Sequence, residues 1–498
     1  MSQKPAVRVA AYAVAALCAV ELLYVLAANT VILSGVIQRA ASADPKSTTL
    51  GWDRAWSPWP GRVYVSNLRI QVADPVQEFG LTVDRAKVDV VLWALLHRRF
   101  RASHVQAEGV SFRMLLEVAS AAGKERRLAA FPVLEGFARP ALRPNPPPPP
   151  ASAADIAELW SVELDQVEAA VTELWFLEYR YRGPARVQGG FALAPLRTLW
   201  VGPALLQLDG GKLTAGEKVV SSQLNARIAV TLAPTDLPSA PGLRILRGLA
   251  SVVQFDTAID DLGVADLYVD GLRTRGEGRL AANLRIADGK LLSGSTLEVL
   301  LPATELQLTG YHFKGASRAK LTLASDTTGA EANATLEGTV DVPWFGSAPA
   351  RAAVTRVTGQ LALTNNDLTQ GFHLRRLHAA LGEARVQDAR AITRTAGTFL
   401  PIAAPVVLGE GPLVAAATLD VSDVADHPLV RLENLTLGKA EVHGAAYAGT
   451  EGWTGAAAGH FGALQLGFRS RDSKPESVPF PDPGWLAHEL AKLGIRPD

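Results

Sequence analysis

The chain has 498 residues, 48% of them hydrophobic, with 49 Lys and Arg balanced by 49 Asp and Glu, and one cysteine. That apolar content is ample for a large core, and zero net charge argues against a nucleic-acid partner, which demands a basic footprint. A lone cysteine, Cys18, excludes a disulfide framework or cysteine-based zinc site within one chain.

From Val9 to Ile37 there is no Lys or Arg, and Glu21 is the one formal charge. Roughly 20 apolar residues at ~1.5 Å each cross a ~30 Å hydrocarbon layer, so Ala10 to Leu33 is long enough for a transmembrane helix. Lys4 and Arg8 precede the segment and Arg39 follows it, which places the N-terminus in the cytoplasm and the body outside. Glu21 is costly there unless it is protonated or faces a partner helix. A cleaved signal peptide, with Ala27 and Ala28 near the cut, is the rival reading, and the apolar stretch is long for one. Leu17 is too bulky for the cleavage site that would make Cys18 a lipid-carrying terminus. Residues 1–39 are thus read as a cytoplasmic tail and anchor.

Residues 40–118 follow as a first β-rich part. Trp52, Trp56 and Trp59 sit close to the span, either in the headgroup layer or plugging an open end of the β body. Arg62 to Val72, Phe79 to Val83, Ala86 to Val90 and Val105 to Met114 read as strands. Val91 to Phe100 reads as a short helix with Leu92, Leu95 and Leu96 on one face. Residues 119–159 lose the pattern. Pro146 to Pro150 forms a polyproline II segment, a spacer or a site for a proline-recognising module, and a helical turn is predicted over Ala153–Leu159.

The body, residues 160–474, then alternates. Leu224, Ala226, Ile228, Val230 and Leu232 take every second position, as do Leu280, Ala282, Leu284 and Ile286, then Leu321 and Leu323, and later Leu464, Leu466 and Phe468. Asp209-Gly210 and Asp288-Gly289 are hairpin signals. Leu243 to Val253 places Ile245, Leu246, Leu249, Val252 and Val253 on one helical face, predicting an amphipathic helix. In residues 475–498 three prolines end the β pattern, and Trp485, Leu486, Leu490 and Leu493 form the stripe of a terminal helix.

No catalytic constellation emerges. His373 and His378 share no face at their spacing, His488-Glu489 has Lys492 where a second histidine is required, and Gly211-Lys212 and Gly289-Lys290 lack the rest of a phosphate loop. Nor is there a G-x-S-x-G elbow. The expectation is no enzyme, no catalytic residue, no metal and no cofactor.

Val63–Ile70, Leu81–Val90, the helix Leu92–His97, Val105–Phe112 and later Gly278–Ser295 together resemble AsmA-like envelope proteins of the bridge-like lipid-transfer (chorein-related) superfamily. The resemblance implies a mainly β fold: a transmembrane helix, then an elongated, curled antiparallel sheet with a few short helices, its open groove lined for acyl chains. It implies an inner-membrane, single-pass bacterial protein with a periplasmic body that helps move phospholipid or other acyl lipid between envelope membranes. Groove candidates are then Val83, Val88, Val90, Val110, Phe112, Leu280, Leu284, Ile286, Leu306, Leu308, Leu321 and Leu323, and the membrane-interface candidates are Trp52, Trp56 and Trp59. Partners would be lipid, the membrane and envelope proteins.

Physics accommodates such a groove: about 16 strands at ~4.8 Å extend ~75 Å. Acyl chains bind through apolar area at roughly 0.8 kcal/mol per buried CH₂. The competing structure is a closed sandwich or barrel, which frequent Ala and Gly in the second half favour locally. The competing function is a non-catalytic envelope scaffold acting through protein contacts.

Overall fold

The computed structural model describes residues 4–42, 48–73, 77–116, 152, 156, 158–240, 242–267, 271–308, 311–323, 331–344, 347–363, 367–370, 374–386, 412–422, 428–449, 452–461, 463–471 and 474–495. The proline run lies outside them. The chain is mainly β, 69% strand, in a large mixed sheet that does not close on itself and carries few helices. It divides into two compact units: Met1–Thr257 with Ala287–Gly289, and Ala258–Ile286 with Lys290–Asp498.

Unit 1 opens with α1 (Lys4–Leu33) and α2 (Val36–Ala41), separated by Gly35 in the left-handed region at φ 68°. Side chains of α1 are described from Cys18 onward. Among the described residues no helix is long and apolar enough to cross a membrane. Strands follow: β1 (Thr48–Gly51), β2 (Arg54–Trp59), β3 (Arg62–Ala73), β4 (Gln77–Val90) and, after the short helix α3 (Leu92–Leu95), β5 (Arg99–Leu116). Beyond the crossover come β6 (Ser161–Phe176), β7 (Tyr179–Ala194), β8 (Thr198–Ala215), β9 (Lys218–Asp236) and β10 (Leu249–Ile259).

β1 and β2 both pair with β3, and neighbours then pair antiparallel to β10, except β5 and β6, which are parallel. The expected antiparallel sheet is therefore mixed. Parallel neighbours need a crossover of a dozen or more residues, and the segment carrying the proline run is that connection.

The outer edge of β1–β2 is covered by the helices. Asn29 Nδ2 donates to the Ser57 carbonyl at 2.9 Å while the Ser57 N–H donates to Asn29 Oδ1 at 2.8 Å, so one side-chain amide imitates a neighbouring strand. Tyr24 Oη accepts from the Gly61 N–H at 3.0 Å, Gln38 Nε2 donates to the Trp52 carbonyl, and Ser42 Oγ accepts from the Leu50 N–H. These bonds satisfy backbone groups that an open edge would leave to another chain. The part of the predicted span from Tyr24 onward thus lies against the sheet.

Bulges bend the unit 1 strands. Asn67 and Gly109 have φ 53° and 68°, and at Gly109 a Cβ would lie 2.0 Å from the Asp84 carboxylate, so a side chain there is strained and displaces Asp84. Register shifts recur in each pairing from β5–β6 to β8–β9, and bulges increase twist and curl. The amphipathic helix predicted over Leu243–Val253 is replaced by a 3-10 turn, Gly242–Gly248, and the start of β10. Leu249, Val252 and Val253 pair with Leu232, Ala229 and Ile228; strand pairing of β-branched residues overrides a helical spacing that both structures can satisfy.

Unit 2 is an antiparallel run. Its strands are β11 (Arg273–Ala287), the two-residue β12 (Lys290–Leu291), β13 (Thr296–Leu308), β14 (Tyr311–Thr322), β15 (Glu331–Trp344), β16 (Ser347–Leu363) and β17 (Leu374–Val386). After these come β18 (Leu413–Ser422), β19 (Leu429–Leu437), β20 (Ala440–Gly449), β21 (Gly452–Phe461), β22 (Leu464–Arg471) and β23 (Lys474–Pro479). β11 pairs with β13, and each later strand with the next. The terminal helix is found as α4 (Trp485–Lys492).

Candidate functional site

Alternation along each unit 1 strand sends apolar side chains to one face, and the register aligns them across strands. One row runs Val65, Ala86, Ala107, Ala169, Val187, Leu206, Ile228 and Val253, from β3 to β10. A second runs Ile70, Leu81, Phe112, Leu174, Tyr181 and Leu213. Val83, Ala86, Ala107, Val110, Val171, Tyr181, Ala185 and Leu208 form the buried centre of this face. Around them Leu68, Leu81, Val88, Leu174, Val187 and Leu206 are only half-buried. Among the described residues the elements in extended contact with unit 1 strands, besides sheet neighbours, are α1 on β2, α2 on β1, α3 on β5 and the 3-10 turn on β9.

The predicted candidates Val83, Val88, Val110 and Phe112 meet here, although their numbering changes parity. β4 exposes Asp84 and Arg85 together and buries Val83 and Ala86 on either side, so odd positions before the kink and even positions after it share a face. Val90 is half-buried at the end of β4, and Phe112 lies 6.4 Å from Phe79, ring to ring. Tyr181, Val187 and Leu206 escaped sequence reasoning. Glycines at 183, 189, 190, 202, 210 and 211 interrupt the alternation of β7 and β8, although Val187 and Leu206 keep enough of it to have been found.

On the opposite face of the sheet, near the β6–β7 turn, a charged group is buried. Glu173 accepts hydrogen bonds from Ser111, Arg113, Arg180 and Arg182. Burial raises its carboxyl, and the bonds from Arg182, Ser111 and Arg113 outweigh that, holding it below the ordinary glutamate range. Arg113 and Arg180 also stack over Trp175, 5.6 and 4.3 Å from the ring centre. Burial raises the Tyr181 hydroxyl, which donates to the Pro184 carbonyl at 2.8 Å.

In unit 2, Leu280, Ala282, Leu284 and Ile286 share the predicted face. Leu284, Ile286 and Leu321 pack with Leu368 around Leu291 and the fully buried Leu323. This is a locally covered apolar cluster with Leu284, Ile286 and Leu321 half-buried at its margin. Leu306 is half-buried opposite Phe313, and the side chain of Leu308 lies outside the described residues. Of the three tryptophans, Trp52 is half-buried, Trp56 stacks on Tyr64 at 5.3 Å, and Trp56 and Trp59 both stay more than half exposed. Among the described residues no cluster of three or more His, Cys, Asp or Glu side chains could hold a metal ion. No family model, curated protein or solved structure matches the chain.

Proposed function

We propose that α1 anchors the chain in the inner membrane of a bacterial envelope and that unit 1 carries acyl lipid along its apolar sheet face, as one step in moving lipid between envelope membranes. The observation that carries this reading is the half-buried state of that face. Val187, Leu206 and Ile228 stand in one row across three strands, yet each remains partly open to water. An apolar area of this kind is stabilised by covering it, and hydrocarbon chains supply cover at ~25 cal/mol per Å² without needing a polar constellation. The resemblance of the first strands and the later Gly278–Ser295 repeat to AsmA-like proteins points the same way. The test is mass spectrometry of the full chain extracted in mild detergent. Phospholipid retained in stoichiometric amount supports the reading. A lipid-free protein would turn it to the scaffold role.

A further inference from the structure

The register of unit 1 brings six large apolar side chains to one end of its strands. Arg62 opposite Asp89, Val90 opposite Ala102, Arg99 opposite Ser161 and Val162 opposite Leu193 put four features at that end: the β2–β3 turn, α3, the start of β6 and the β7–β8 turn. Trp59, Leu92, Trp93, Leu96, Trp160 and Leu196 occupy those four places, and all are exposed, Trp93 and Leu96 to 73% and 71%. Exposed arginines stand among them: Arg98, whose guanidinium donates to the Glu158 carbonyl, Arg99, which also pairs with Glu163 at 3.0 Å, and Arg197 in the β7–β8 turn. Tryptophan and leucine backed by arginine is the composition of a membrane–water interface, where amphipathic rings sit at headgroup depth and cations meet phosphate.

The docking of α1 gives the direction. Going along α1, Tyr24 bonds at Gly61 and Asn29 at Ser57, and Gln38 of α2 follows at Trp52, so α1 runs opposite to β2. Tyr24 is level with the β2–β3 turn, and the helix upstream of it projects past the apolar end of the sheet. Val9 to Leu23, the part of the helix upstream of Tyr24 without Lys or Arg, supplies about 15 residues, or ~22 Å of a ~30 Å hydrocarbon layer, and Lys4 and Arg8 extend it to the far headgroups.

We infer that this end of unit 1 is a collar seated on the same bilayer that α1 crosses, with the α3 tip in the interface and the arginines on anionic headgroups. The inference rests on the anchor reading but not on lipid being carried by the sheet. It assigns α3 a membrane-contacting role, and it shifts the crossing segment upstream of Tyr24.

The lone cysteine makes the test direct. In the full chain carrying Cys18→Ser, an environment-sensitive fluorophore is attached at Leu96→Cys or, as control, at Glu217→Cys in the β8–β9 turn at the opposite end. The protein is reconstituted into vesicles of phosphatidylcholine with or without phosphatidylglycerol, each with brominated acyl chains. The expected result is a blue-shifted emission at position 96, quenched at least twofold by bromolipid and more strongly with phosphatidylglycerol, with position 217 unquenched. A chain that floats with the vesicles while position 96 stays as wet as 217 overturns the collar. Equal quenching with and without phosphatidylglycerol overturns the headgroup contact. A chain that fails to float with vesicles overturns the anchor and the collar together, whatever lipid the sheet retains.

Discussion

The apolar face of unit 1 and the apolar face of β20–β21 in unit 2 differ in how far they are covered among the described residues. On β20 and β21 the buried Ala445 and Ala456 leave room, and α4 lies against them. Ala445, Ala456, Leu490 and Ile495 are buried together, with Trp485, Leu486 and Leu493 packed around. Gly467 on β22 lets the Trp485 ring come close enough that a Cβ would meet it at 2.7 Å. The unit 1 face mixes Ala86, Ala107 and Ala185 with Val, Leu and Tyr, and its margins stay half-open. The cluster around Leu323 is a third case, closed locally by a 3-10 turn, Leu368–Gln370.

Substitutions sharpen this contrast. The largest expected effect is at Leu323, fully buried beside Leu291. Leu323→Asp buries an unpaired charge at a cost of several kcal/mol, so thermal unfolding should fall steeply or expression fail. Arg285→Asp, on the exposed side of β11, is its control and should stay within about 0.5 kcal/mol. Next comes Gly467→Ala, which forces the Trp485 ring off β22 and costs about 1–3 kcal/mol by overpacking. A red shift of tryptophan emission and faster proteolysis ahead of α4 are the expected readouts. The smallest effect on stability is expected at Leu206→Asp. Its half-buried site leaves the carboxylate reachable by water, so unfolding should change by less than about 1 kcal/mol while retained lipid drops. Unfolding of Leu206→Asp as severe as that of Leu323→Asp would erase the distinction between the two faces.

Much of this was legible in the sequence. Period-two alternation found β3, β4, β9, β11 and β22, and the stripe of Trp485, Leu486 and Leu490 found α4, because local burial patterns are written locally. What the sequence concealed depends on distant partners. The parallel pairing of β5 and β6 joins residues separated by the proline-containing crossover. Asn29 and Tyr24 lie inside the predicted apolar span, and nothing local announces their partners Ser57 and Gly61. The parity change between Val83 and Val88 needs the kink at Asp84 and Arg85 to make sense. Of the predicted groove residues, the unit 1 set gathers on one half-open face. Leu284, Ile286, Leu321 and Leu323 have the same alternation, but a turn distant in sequence closes over them.

The central claim is that the unit 1 face is covered by lipid and the β20–β21 face by protein. Photocrosslinking from within each face tests it most directly. A benzophenone side chain replaces Phe112 on the first face or Tyr447, which packs beside α4, on the second, and the full chain is irradiated in native membranes. The account predicts a phospholipid adduct at position 112, and at 447 a crosslink to the chain's own α4 with no lipid. Position 112 crosslinking only to the protein's own peptides, with no lipid adduct, would contradict it.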